Sequence, residues 1–291
     1  MTKLTRFRPD IAVVIYTYDR TDDAKINQEI IRNLWDKSGF FGNIKIIHAY
    51  NGKTSWYPIK HLEDILIRRK NSSHYAGASN LIDTGFLTVR KLYPKIKYGI
   101  ILASDTWLLK PDYVVKLIYK MEQENLCWAT CPWGYKGHDE FRDVGAATDC
   151  FIINLPWADK YKMLPFNYDA FYKKFAELFY YQSGSNIMLE KLAFGRFINA
   201  IFRESNINSA LRLRGLNRIL TMTDRQPIHG NTKPAVTSND SWKRNSYWPK
   251  IGLATHHEAV PKQKILRQYK IAGASIKKLQ TAKNLDYFNQ H

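Results

Sequence analysis

Cysteine is scarce in this chain, with three residues (Cys127, Cys131 and Cys150) among 291. An odd count and a single C-x-x-x-C exclude a disulfide-stapled scaffold and fall short of a structural zinc site, so reduced, mostly buried thiols are expected. Long apolar runs are also missing. Stretches such as IAVVIY at 11–16 are far too short to cross a bilayer, and MTKLTRFRPD at the start has no apolar signal segment. The expected address is cytoplasmic, with a peripheral seat on the inner membrane face as a variant that the charge suggests. Acidic residues are in short supply: 26 Asp and Glu stand against 44 Lys and Arg, a formal charge of +18. That excess exceeds what solubility needs and implies a polyanionic partner such as nucleic acid, anionic lipid or an acidic glycan. It is also uneven, since from Arg196 onward 17 Lys or Arg face five Asp or Glu, supplying +12 of the +18.

Several motifs are absent as well. G-x-G-x-x-G, G-x-x-x-x-G-K-[ST] and H-E-x-x-H do not occur, so dehydrogenase, P-loop and zincin chemistry lose their main support. Without a G-x-S-x-G elbow, an α/β-hydrolase is disfavoured too.

What is present is an alternation of two periodicities. Residues 11–16 are β-branched and apolar and read as a buried strand of a parallel sheet. A helix is expected next, capped by Thr21, with Asp22 and Asp23 at the positive end of its dipole, Ile26, Ile30, Leu34 and Trp35 on one face, and Gly39 closing it. NIKIIHAY at 43–50 reads as a second strand ended by the Asn51-Gly52 turn signal. Leu81, Ile82, Gly85, Phe86, Val89 and Leu92 recur at helical spacing before Pro94. A strand at 97–104 follows, then a helix opened by Pro111 that turns Val115, Ile118 and Met121 inward. LCWATCPW and DCFIINL are expected to be two further strands. Strands alternating with helices predict an α/β fold with a mostly parallel sheet flanked by helices, whose ligands gather at the carboxyl ends of the strands. After residue 165 the pattern becomes helical and aromatic, and a Gly/Pro/Asn/Ser-rich stretch at 224–250 leads to a basic, helical tail from Pro261. The expected organisation is a core over 1–165 and a helical, basic acceptor-binding part over 166–291 that completes the same domain.

Four segments, IAVVIYTYDR, AYNGKTS, HYAGASNLIDTGF and YGIILASDTWLLKPDYV, come in an order and spacing that resemble the N-terminal half of GT-A fold glycosyltransferases, closest in style to family 2. The resemblance covers roughly residues 10–120 and implies a Rossmann-like sheet, a nucleotide-sugar donor and a hexosyl- or pentosyltransferase. It places Thr17, Tyr18, Arg20 and Asn51 near the base and ribose. It adds a turn at Gly77 to Asn80, with both of those residues close to the donor. GT-A enzymes commonly end the fourth segment in Asp-x-Asp, which binds the ribose and a Mn²⁺ or Mg²⁺ ion. Here the motif reads Ala103-Ser104-Asp105, so the first acid is missing. The resemblance therefore implies Ser104 and Asp105 as donor-binding and Asp105 as the metal ligand, against the plainer reading that Asp105 caps a turn. The acid looks exposed at the end of its strand.

By the same resemblance a histidine from the C-terminal region joins the metal or diphosphate. His256 of the adjacent pair His256 and His257 is favoured, with Lys262 and Lys264 nearby for phosphate and Arg225 and His229 in a second loop. An inverting transferase needs a carboxylate base, for which Asp149 and Glu190 are the candidates, while a retaining one does not. Dense aromatics such as Trp128, Trp133 and the run Phe171 to Tyr181 suit sugar stacking or core packing. The acceptor expected first is a bacterial surface polysaccharide or lipid-linked glycan, with the basic part resting on an anionic glycan or membrane surface. A virus-encoded transferase acting on hydroxymethylated bases of DNA is the alternative. A non-catalytic nucleic-acid-binding protein would explain the charge but not the ordered segments.

Overall fold

The computed structural model describes residues 6–57, 59, 61–71, 74–130, 150–160, 225–228, 236–237 and 246–255. Among them the chain begins with β1 (Ile11–Thr17), whose alternating side chains are buried on both faces. Helix α1 (Thr21–Ile30) follows. It continues through one π turn at Ile31–Trp35 and a 3-10 turn at Asp36–Ser38. Gly39 ends it in the left-handed region at φ 71°, where an absent Cβ removes the steric cost. Thr21 is the first helical residue, not the cap. Arg20 holds the cap position and no side chain bonds back to the helix there.

The next elements are β2 (Ile44–Tyr50), β3 (Ile65–Arg68), α2 (His74–Leu92) and β4 (Tyr98–Ala103). After them come β5 (Thr106–Leu108), α3 (Pro111–Gln123), β6 (Trp128–Thr130), β7 (Cys150–Asn154) and α4 (Leu155–Lys160). Pro111 sits in the first turn of α3, where its missing N–H costs nothing. Four short strands complete the set: β8 (Arg225–Pro227), β9 (Val236–Thr237), β10 (Ser246–Trp248) and β11 (Leu253–Thr255).

The main sheet runs β3-β2-β1-β4-β7-β6-β8. Its β3, β2, β1 and β4 pairings are parallel, while β7 runs antiparallel to both β4 and β6. On one face, Ile11, Val13 and Ile15 of β1 cluster with Ile26 and Ile30 of α1 and with Val114, Ile118 and Met121 of α3. On the other face lies α2, where Gly85 meets Val14 so closely that a Cβ would stand 2.3 Å from its Cγ1. This is the layered α/β arrangement expected from the alternating periodicities.

A second sheet, β5-β11-β10-β9, is antiparallel and starts directly after Asp105. The described residues beyond 165 lie in four short strands and the turns beside them, and β8 and β11 pair with elements of the first half. The helices expected after residue 165 fall on 166–224 and 261–291, which lie outside the described residues.

Candidate functional site

The chain crosses from β2 on one side of β1 to β4 on its other side, so a crevice opens at the carboxyl ends of β1 and β4. Such a switch point is where open α/β sheets bind ligands. Arg20 follows β1 and Asp105 follows β4, and the two meet there. Arg20 Nη1 donates to Asp105 Oδ2 at 2.6 Å. Asp23, one turn into α1, brings a second carboxylate to the same nitrogen at 3.5 Å. Asp105 is 4% exposed, so the acid that looked exposed in sequence is buried and ion-paired.

The turn that carries Asp105 is clasped from α1. Asn27 Nδ2 donates to the carbonyls of Ala103 (3.2 Å) and Thr106 (2.9 Å). Ser104 N–H donates to Tyr16 O at 3.1 Å, which fixes the turn to β1. Around Ala103, where the acid is missing, α1 contributes two polar residues: Asn27 binds the backbone of the turn, and Asp23 pairs with Arg20. Sequence reasoning missed both roles, although Asp23 and Asn27 are polar residues on the buried side of an amphipathic helix.

Thr17, the last residue of β1, is buried. Its Oγ1 lies 3.1 Å from the Tyr57 hydroxyl. Asn51, also buried, donates its N–H to Thr17 O at 3.2 Å. Tyr18 is half-buried, and Gly52 packs so closely on its carbonyl that a Cβ would stand 1.9 Å away. Thr17, Tyr18, Arg20, Asn51, Ser104 and Asp105 are thereby brought to one edge of the sheet.

Gly77 and Asn80 are a different case. The turn expected at 77–80 is helical, lying within α2. The Gly-Ala-Ser-Asn composition looks like a turn, but Ser79 is buried and Asn80 Oδ1 accepts from Thr84 Oγ1 at 3.2 Å, as one turn of helix requires. Arg69 Nε reaches the same Thr84 hydroxyl at 3.2 Å.

A buried polar chain underlies the β1 and β2 ends. The Gln28 amide NH₂ donates to Asp64 Oδ2 at 2.5 Å and faces His48 Nε2 at 3.2 Å. With Nε2 accepting, His48 Nδ1 carries the proton and donates to the Tyr57 hydroxyl at 3.0 Å, which in turn donates to Thr17. Burial lowers the His48 pKa from its ordinary 6.5, outweighing the opposing effect of Asp64, so the ring is neutral at pH 7. For Asp64 burial acts upward, but hydrogen bonds from Arg32 and Gln28 and the charge of Arg32 outweigh it and hold the carboxyl below its usual range. Burial raises the Tyr57 hydroxyl well above 10.

Two buried carboxylates converging on one positive group make a place suited to a cation, and the Arg20 guanidinium is that group. A Mn²⁺ or Mg²⁺ ion binds through one or two carboxylates and completes its shell with waters and substrate phosphates. Asp105 fits that donor type, but an ion there would share or replace Arg20. No group of three His, Cys, Asp or Glu gathers among the described residues. Thr255 pairs with Thr106, the residue after Asp105. His256, Asp149, Glu190, His229, Lys262 and Lys264 lie outside the described residues, and Arg225 is described only through its strand β8.

No family model matches the chain, and no curated protein does. Solved structures do match. A mannosyltransferase from Pyrobaculum calidifontis in complex with GDP-Man and Mn²⁺ is 11% identical, over 54% of this chain and 47% of that one, with a TM-score of 0.38. A glycosyltransferase involved in glycosylation of the major capsid of PBCV-1 is 14% identical, over 61% and 76%, with a TM-score of 0.36. The bifunctional glycosyltransferase WbbM is 12% identical, over 55% and 34%, with a TM-score of 0.35. The chain spans about half the length of the mannosyltransferase. All three are glycosyltransferases.

Proposed function

We propose that this chain is a glycosyltransferase that moves a sugar from a nucleotide-sugar donor, a UDP-sugar first, to an acceptor hydroxyl. The observation that supports it most is the convergence of Thr17, Asn51, Ser104, Arg20 and Asp105, read from separate ordered segments, on one switch-point crevice. In this reading Thr17, Tyr18 and Asn51 face the base and ribose. Arg20, expected near the base and ribose, is paired with Asp105 and so stands between the ribose and the diphosphate, which Arg225, His229, Lys262 and Lys264 would face. Gly77 and Asn80 bound the donor from α2.

In the transfer, the acceptor oxygen bonds to the anomeric carbon while the bond from that carbon to the phosphate oxygen breaks. The electron pair leaves on the diphosphate. In an inverting enzyme the acceptor proton passes to a carboxylate base, Asp149 or Glu190. Charge builds on the leaving phosphate, and a fixed guanidinium meets it without reorganisation. When bound, Mn²⁺ or Mg²⁺ would be held by Asp105, with His256 as its proposed second ligand, and would supply further neutralisation of that charge.

The acceptor proposed is a surface polysaccharide or lipid-linked glycan of a bacterium, approached by a protein resting on an anionic surface. The formal charge of +18 equally favours DNA as the anionic acceptor, the reading of a virus-encoded base-modifying transferase. Thermal-shift screening against UDP-, GDP-, CMP- and TDP-sugars, each with and without Mn²⁺, tests the donor. Stabilisation by one nucleotide is expected, and stabilisation by none refutes the transferase.

A further inference from the structure

Residues 51–57, which lead out of β2, are held from several sides. Thr54 Oγ1 donates to Trp56 O at 3.0 Å and, having one proton, accepts from the Tyr50 hydroxyl at 2.6 Å. Arg68 of β3 donates to the carbonyls of Thr54 and Ser55, and its guanidinium lies over the Tyr50 ring, 5.3 Å from the centroid. Tyr57 is buried, its ring 4.9 Å from that of Tyr50 and its hydroxyl in the His48 and Thr17 chain. Between these anchors Trp56 is 63% exposed. A loop fixed in this way has already met the ordering cost that binding otherwise requires, and it presents a large flat apolar face to water.

We propose that Trp56 is a stacking platform for the nucleobase of the donor, and that Tyr57, oriented by His48, is its positioning residue. The proposal rests on the glycosyltransferase reading. The same hydroxyl that roots the loop also holds Thr17, so platform and strand-end site form one rigid unit. Along the sheet edge the order is the β2 loop, the β1 end, then the β4 end with Arg20 and Asp105. A nucleoside diphosphate laid with its phosphates at Arg20 therefore brings its base toward the β2 loop. Bases of every kind have a π-face, which makes the indole a binding surface rather than a base reader.

Calorimetric titration of UDP, GDP, CDP and TDP into the full chain tests this, using Trp56→Ala, Trp56→Phe and Tyr57→Phe. Trp56→Ala is expected to raise the Kd of the preferred nucleotide about ten-fold, by the size of base–aromatic stacking, with an unchanged melting temperature. Trp56→Phe is expected to restore most of that affinity. Tyr57→Phe, which keeps the ring, is expected to weaken nucleotide binding several-fold more than it lowers the melting temperature would explain. Wild-type affinity in Trp56→Ala overturns the platform while leaving the transferase intact. Failure of Phe to restore binding overturns stacking. Binding of none of the four by the wild type refutes the transferase and the platform together.

Discussion

At the scale of single residues, the pair Arg20 and Asp105 carries the most consequence. Both are largely buried, with side-chain exposures of 14% and 6%, so removing one leaves a charge without its partner in a poorly solvated place. Arg20→Ala is expected to lower stability by about 3–5 kcal/mol, read by urea denaturation. The double variant Arg20→Ala/Asp105→Asn should recover part of the loss, whereas simple additivity would show that the two do not interact. His48 gives a pH test. Its folded pKa is depressed by burial, so between that value and about 6.5 the unfolded chain takes up a proton that the folded chain refuses. Stability is full above pH 6.5 and falls as the pH drops toward 5. His48→Gln should flatten that slope in denaturation curves between pH 7 and 5, and an unchanged slope would assign it to another group. The place of Asp105 at the end of a buried strand was legible because a lone acid closing an apolar run is conspicuous. Its pairing with Arg20 was not, since 85 residues separate the two and only the strand order brings them together.

At the scale of elements, β1, β2 and β4 could be read because their apolar runs are long enough to rule out chance. β3 and β5, of four and three residues, carry too little periodicity to register, and it is their pairings with β2 and β11 that make them strands. Residues 77–80 were misread because small polar residues suit a turn locally, whereas packing of α2 on β1 decides their conformation. That packing makes its own prediction. A methyl group at Gly85 would stand 2.3 Å from Val14 Cγ1, on a β-branched side chain in a fully buried strand that has little freedom to yield. Gly85→Ala is expected to cost about 1–3 kcal/mol, despite its better helix propensity. A stabilised Gly85→Ala variant would mean that α2 rides farther from the sheet.

At the scale of the whole molecule, +18 of formal charge has to be reconciled with a donor site that needs only a few cations. In the proposed reading an anionic acceptor or surface accounts for the surplus. Binding to duplex DNA should fall linearly on a log–log plot against salt if DNA is the acceptor. Vesicles with anionic headgroups should be bound in preference to duplex DNA if a membrane-linked glycan is. Whatever the acceptor, the proposed transferase takes its nucleotide-sugar in the crevice between the β1 and β4 ends. Calorimetric titration of the best-stabilising nucleotide-sugar into the wild type and Asp105→Ala tests that most directly. Saturable binding by the wild type, weakened ten-fold or more in the variant, is the predicted result. Equal affinity in both proteins, or none in the wild type, would contradict it.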